Sequence, residues 1–236
     1  MKKAIFIIGM HRSGTSCVAR CLAANGLSFT LDQLKSTIHP GHLEYGEVNR
    51  LNNRILGGWK KPNLHNGVFK KYYFRRSVKK FVRRCHHGGS PVGIKDPRLA
   101  LTFDYWAHAV DDFRIVAVYR RPLEVVQSFE ERELGYKRVE SGNALELWKL
   151  TNEKVIELHN DYDFPIADFD LPRESFQKNI EIICRYLDLD FSLSAFNNAF
   201  RESERHHENL EIPPALRSTY EELNRRSIRP FRLGSG

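Results

Sequence analysis

Eight consecutive residues near the amino terminus, Gly9-Met-His-Arg-Ser-Gly14-Thr-Ser16, have the types and spacing to hold an anion. They follow the apolar run Ala4-Ile-Phe-Ile-Ile8 and precede the helix-like Cys17-Val-Ala-Arg-Cys-Leu-Ala-Ala24. A strand, a tight turn and a helix start together present backbone N–H groups and the positive end of a helix dipole to a negative charge. Arg12 adds a guanidinium whose planar fork matches phosphate or sulfate oxygens. Ser13, Thr15 and Ser16 add hydroxyls.

The spacing fits the nucleotide-binding pattern G-x-x-x-x-G-K-[ST] except that Thr15 stands in the lysine position and the cation, Arg12, comes earlier. That lysine normally reaches the β- and γ-phosphates of a nucleoside triphosphate. Its absence argues against ATP hydrolysis and for a nucleotide with one charged group at the loop.

Other cations stand where further strands should end: Lys95 and Arg98 after Pro91–Lys95, and Arg120 after Phe113–Tyr119. In a parallel α/β sheet the carboxyl ends of the strands line one edge, and ligands bind there. Three basic clusters on that edge call for a polyanionic small molecule. Pro122 suits the first turn of a helix, which puts Ser128 near its second turn, just beyond Arg120. A phosphate there would meet backbone N–H groups, the Arg120 guanidinium and the Ser128 hydroxyl. The competing reading of Ser128 is a helix serine bonded to its own backbone.

The elements that must position these groups alternate, which predicts a parallel α/β fold. Strands are expected over Lys3–Ile8, Pro91–Lys95, Phe113–Tyr119 and Phe164–Phe169. Helices are expected over Gly14–Asn25, Glu47–Leu56, Leu123–Phe129, Asn143–His159 and Ser175–Leu187, where apolar residues recur at helical spacing. Past Leu193 the pattern weakens. At 236 residues the chain suits one domain spanning 1–236. Apolar residues make up 41% and charged residues 28%, an ordinary globular balance. No apolar run is long enough to cross a bilayer, and Met1-Lys2-Lys3 leads into a short buried strand rather than a cleaved leader. Cys17, Cys21, Cys85 and Cys184 form no C-x-x-C pair and no zinc spacing, which predicts core thiols in a reducing cytoplasm.

The charge is concentrated. No acidic residue occurs from Asn66 to His87, where Lys70, Lys71, Arg75, Arg76, Lys79, Lys80, Arg83 and Arg84 fall. With these set aside, 29 basic residues face 29 acidic ones, so this segment accounts for the net charge of +8. Phe74, Val78, Phe81, Val82 and Cys85 share one helical face and the cations cover the other. Two readings stand: a core-packed basic helical insertion over about 66–87 with a solvated back, or a landing surface for an anionic acceptor, membrane or other polyanion. No nucleic-acid reading motif accompanies the charge.

In these residues the chain resembles the sulfotransferase family that uses 3′-phosphoadenosine-5′-phosphosulfate (PAPS). Met10–Ser16 is similar to the family's 5′-phosphosulfate loop, in the Arg-Ser-Gly form of bacterial, carbohydrate and tyrosyl-protein members. Arg120 with Ser128 is similar to the pair for the 3′-phosphate. Pro165–Leu189 resembles the later strand, loop and helix, and Gly93–Leu99 and Gly41–Tyr45 with Trp59 look like segments of bacterial members. The resemblance covers most of Lys3–Leu189. It implies a P-loop nucleoside triphosphate hydrolase-like fold with a central, mostly parallel sheet flanked by helices. It implies an enzyme with PAPS as co-substrate and no metal, acting on a carbohydrate, lipid-linked or peptide acceptor.

The implied donor-binding residues are Arg12, Ser13, Gly14, Thr15, Ser16, Arg120 and Ser128, and the implied catalytic residues are Arg12, Glu44 and Lys95. Glu44 is the first choice for the base that takes the acceptor proton, with Glu47, His42 and Asp96 as competitors; its bland alternative is a helix N-terminal carboxylate. His86-His87 and His206-His207 are adjacent pairs whose side chains diverge on a helix, a poor metal spacing.

There are departures. Cys17 stands where cytosolic members place an adenine-stacking tryptophan, a job Trp59 could take. Their Lys-x-His histidine falls near Pro97, and their C-terminal glycine-rich segment has no clear counterpart. These departures favour a carbohydrate, lipid-linked or peptide acceptor over a phenol or steroid. Two other functions remain open at this point: a P-loop nucleotide or small-molecule kinase, and a non-enzymatic polyanion-binding protein.

Overall fold

A computed structural model describes residues 3–29, 43–58, 68–85, 91–130, 141–201 and 210–228. His42, Trp59, His86, His87, His206 and His207 lie outside the described residues. Four strands form one sheet: β1 (Lys3–Ile8), β2 (Val92–Lys95), β3 (Asp112–Tyr119) and β4 (Ile166–Asp168). Their order is β2-β1-β3-β4 and every pairing is parallel. Ile7 pairs with Lys95, Ile8 with Ala117 and Tyr119 with Asp168, so the carboxyl ends of all four strands reach one edge.

Ala4–Ile8 and Ile115–Tyr119 are buried throughout because helices cover both faces of the sheet, which demands near-continuous apolar strands. Helix α1 (Thr15–Ala24) packs with α7 (Arg173–Tyr186) and α8 (Leu193–Ala199). Helix α4 (Leu99–Ala107) packs with α2 (Gly46–Leu56), α3 (Val68–Cys85) and α6 (Ser141–Tyr162). Successive strand residues point to opposite faces. Phe6 meets Phe103, Trp106 and Phe113 edge to face, which leaves Ile5 and Ile7 for the opposite face. Helix α5 (Pro122–Glu130) follows β3, and α9 (Arg217–Arg226) packs on α6 and β4. All four cysteines are buried free thiols.

Helix α4 is one element that the sequence pattern did not disclose. Its Leu-Ala-Leu-Thr-Phe-Asp-Tyr-Trp-Ala run is buried at six of its nine positions, so it lacks the polar face that betrays a helix. Strand β4 is shorter than expected: Phe164 and Phe169 are buried but flank the ladder, and Pro165 has no N–H to extend it. The weakly patterned C-terminal part forms α8, a single 3₁₀ turn at Pro214–Leu216 and α9. Its end returns to the sheet, where the Ile228 N–H donates to the Ile166 carbonyl at 3.0 Å.

Candidate active site

Two glycines shape the loop between β1 and α1. At Gly9 (φ 147°) an added Cβ would lie 2.3 Å from the Val118 carbonyl oxygen, and at Gly14 (φ 86°) it would lie 2.2 Å from the Phe169 ring. A side chain at either would push the loop off the sheet edge. Arg12 also has a left-handed backbone, φ 67°. The first helical bond of α1 runs from the Val18 N–H to Gly14 O at 3.1 Å, so the N–H groups of Thr15 and Ser16 have no acceptor within the helix. Ser13 is fully buried and its hydroxyl has no partner among the described residues; Thr15 is nearly buried. This donor set fits a bound anionic group.

The fold draws distant residues onto the loop. The Arg12 guanidinium donates through Nε and Nη2 to Ser128 Oγ on α5, at 2.9 and 2.7 Å. Ser128 therefore spends its oxygen on Arg12, and its own hydrogen has no acceptor among the described residues. Lys95, 1% exposed at the end of β2, donates to Ser16 Oγ at 2.8 Å and to Glu44 Oε1 at 2.6 Å. Glu44 is placed there by its neighbour Tyr45, a fully buried ring packed on Phe81 that donates its hydroxyl to Gly93 O at 3.2 Å. Asn52 locks α2 against α4 by accepting from Thr102 Oγ1 and Trp106 Nε1, both at 2.9 Å.

The competitors of Glu44 sit differently. Asp96 is fully buried, and Arg98 donates to it through Nε, Nη2 and its backbone N–H at 2.8, 2.8 and 2.9 Å. Burial opposes its ionisation, but the Arg98 charge and these bonds outweigh burial and hold its pKa below the ordinary range. Its oxygens are committed to Arg98. Glu47 pairs with Arg84 at 2.5 Å, with 38% of its side chain exposed. His42 lies outside the described residues.

Arg120 ends β3 but is 1% exposed and already engaged. Its Nε donates to Asp170 Oδ1 at 3.2 Å and its Nη2 to Glu124 Oε2 at 3.4 Å, with the Phe169 ring 5.6 Å away. Asp170 also accepts the Arg121 N–H at 2.6 Å, and Trp148 Nε1 donates to the Arg120 carbonyl at 2.9 Å. Spacing placed Arg12 and Ser128 in separate cradles; the fold bonds them to each other and surrounds Arg120 with carboxylates.

Three groups at this edge escaped the motif reading. His11 is half-buried, its Nε2 out of solvent, beside the charges of Arg98, Asp96, Lys95 and Arg12. Burial first, and Arg98 next, pull its pKa well below the usual imidazole value, so it is neutral. Phe169 seats Gly14, and Asp170 holds Arg120. The signal for the last two was their position just past β4, which the strand-end rule would have marked. Cys17 is buried in the core and Trp106 and Trp148 are fully buried, so none of the three offers a surface for a base or a sugar. A surface cavity of about 510 Å³ lies at the opposite, amino-terminal end of β4, lined by His159, Asp163, Phe164, Tyr186, Arg225 and Arg226, away from the loop. Among the described residues no helix is long and apolar enough to cross a membrane.

No protein-family model and no curated protein matches the sequence. Solved structures do. The sulfotransferase domain of the Synechococcus PCC 7002 olefin synthase matches with a TM-score of 0.54 at 16% identity, over 98% of this chain and 90% of its own. Sulfotransferase STF1 of Mycobacterium tuberculosis H37Rv matches with a TM-score of 0.52 at 15% identity, over 94% and 76%. A sugar kinase of Janibacter sp. HTCC2649 matches with a TM-score of 0.50 at 16% identity, over 83% and 98%. What is shared at these identities is the arrangement of strands and helices. This chain has the fold of the sulfotransferases.

Proposed function

We propose that the chain is a sulfotransferase that moves a sulfuryl group from PAPS to an acceptor hydroxyl or amine. The observation that carries this reading is the Lys95 ammonium, bonded both to Ser16 of the anion loop and to the Glu44 carboxylate. It joins a cradle for a charged leaving group to a group that can take a proton. The likeness of the fold to sulfotransferase structures supports the same reading.

In this reading Arg12, the backbone N–H groups of Ser13–Ser16 and the hydroxyls of Thr15 and Ser16 hold the 5′-phosphosulfate. Arg120 and Ser128 hold the 3′-phosphate. Ser128 donates its unspent hydrogen, and the phosphate shares Arg120 with Asp170 and Glu124. Glu44 accepts the proton of the acceptor hydroxyl as its oxygen bonds to sulfur. The bond from sulfur to the bridging phosphate oxygen breaks, and adenosine 3′,5′-bisphosphate leaves with the charge. Arg12 and Lys95 face that charge as fixed donors, a large source of rate enhancement. The reading requires no metal. The acceptor is a carbohydrate, a lipid-linked group or a peptide.

A thermal scan with adenosine 3′,5′-bisphosphate against magnesium ATP tests the donor. At a hundred times its dissociation constant, the bisphosphate should add about 2.7 kcal/mol to stability. No shift with the bisphosphate, beside a clear one with magnesium ATP, would overturn the reading. That outcome would instead favour a small-molecule kinase, which the likeness to a sugar kinase motivates and Thr15 in the lysine position opposes.

A further inference from the structure

We propose that the outward face of α3 is a docking track for an acidic polysaccharide, and that this polymer is the acceptor. The inference rests on the sulfotransferase reading for the second part only.

Helix α3 turns Phe74, Val78, Phe81, Val82 and Cys85 into the core, where each is at most 8% exposed. Its cations point the other way: Arg76, Lys79, Lys80 and Arg83 are exposed, and Arg75 and Arg84 are half-buried. Among the described residues only Arg84 has a carboxylate partner, Glu47. The other described cations of this face have no carboxylate partner among the described residues, and such a field draws polyanions.

Tyr73 is 63% exposed. It stands at i, with Arg76, Lys80 and Arg83 at i+3, i+7 and i+10, so all four share one ridge about 15 Å long. An exposed ring beside guanidinium forks suits a sugar chain: the ring takes a pyranose face, and arginine takes carboxylate or sulfate oxygens in pairs. A bilayer is a poorer match. From Phe74 to Cys85 the apolar side of α3 is spent on the core, and among the described side chains of the helix Tyr73 is the one exposed ring.

The ridge also leads to the right place. The Arg84–Glu47 pair fastens the last turn of α3 to the first turn of α2. Glu44 lies just before that turn and accepts from Lys95, which also donates to Ser16. A chain laid along α3 toward its carboxyl end therefore arrives beside the proposed base.

The test uses the full chain and oligogalacturonate, a polymer of uronic acid, as probe. Binding is titrated for the natural sequence, for the triple variant R76E/K80E/R83E and for Y73A. The triple variant should lose tenfold or more in affinity, with a roughly proportional fall in salt dependence. Y73A should lose several-fold on the oligosaccharide and nothing on inorganic polyphosphate. Both variants should keep the adenosine bisphosphate thermal shift, which shows them folded. In a transfer assay the triple variant should raise KM for the acidic acceptor with kcat unchanged.

Unchanged affinity in the triple variant would overturn the track. So would tighter binding to phosphatidylserine vesicles or duplex DNA than to the uronate, with Tyr73 irrelevant. Uronate binding lost in the triple variant, in a chain that ignores the bisphosphate, would leave the track standing and remove the sulfotransferase reading with the acceptor role.

Discussion

Arg12 bonds Ser128 while Glu44 bonds Lys95, which reaches Ser16 at the start of α1, and loss of Arg12 and loss of Glu44 should fail in different ways. Arg12 faces the anion loop and Ser128, so Arg12→Ala should weaken adenosine bisphosphate binding and slow transfer together. One fixed donor of this kind is worth on the order of a hundredfold or more in rate. Glu44 bonds Lys95, with the Arg98 charge near by, and neither is a loop backbone group, so Glu44→Ala should leave the bisphosphate thermal shift nearly intact while transfer falls by about a hundredfold. Full activity in that variant would move the base to another residue, and Asp96, clamped by Arg98, would be a poor heir. Of these residues, Arg12 was legible because its turn is local. Glu44 was a choice among four groups, since nothing in spacing tells which carboxylate meets Lys95, 51 positions away.

At the scale of elements, β4 and α9 enclose a titrating group between them. Asp168 accepts from the Tyr119 hydroxyl at 3.0 Å and from the Asp170 N–H at 2.9 Å, with Asn224 of α9 within 3.5 Å of the same hydroxyl. Burial first, then the Asp170 charge, raise its pKa to about 6 from the ordinary 3.8. Between those values the folded chain holds a proton that the unfolded chain has released. Stability from this group is thus full below about pH 4 and lost as pH rises through about 6, by up to about 3 kcal/mol. Asp168→Asn should flatten that slope and raise Tm at pH 7.5 while leaving Tm at pH 4 nearly unchanged. Equal pH profiles of the two chains would show that Asp168 ionises freely in the fold. Legibility also varied by element. Strand β3 showed as a near-continuous apolar run and helix α7 by its helical spacing. Helix α4 hid because burial on nearly every side erases amphipathic contrast. The C-terminal helices hid because their burial comes from a few residues such as Phe196 and Leu223.

For the whole molecule, the C-terminal segment is structural rather than accessory. Leu216 and Leu223 are buried, and Ile228 donates to β4. Ending the chain before Pro214 would strip that cover from Tyr119 and Asp168. The loss should be about 3 kcal/mol or more, from the two leucines alone. In urea the midpoint should fall sharply; an unchanged midpoint would show that the segment merely rests on the surface.

Strand-to-helix turns, capping glycines and charge runs act within a few residues, so the sequence by itself determined the glycine-bounded loop between β1 and α1, the parallel α/β alternation and the basic helix. Which of those parts touch is another matter. Arg12 met Ser128 across 116 positions, and Arg120 acquired Asp170 across 50, because the strand order β2-β1-β3-β4 lays remote carboxyl ends side by side. That order is set by how helices cover both faces of the sheet, a packing property that local spacing does not carry.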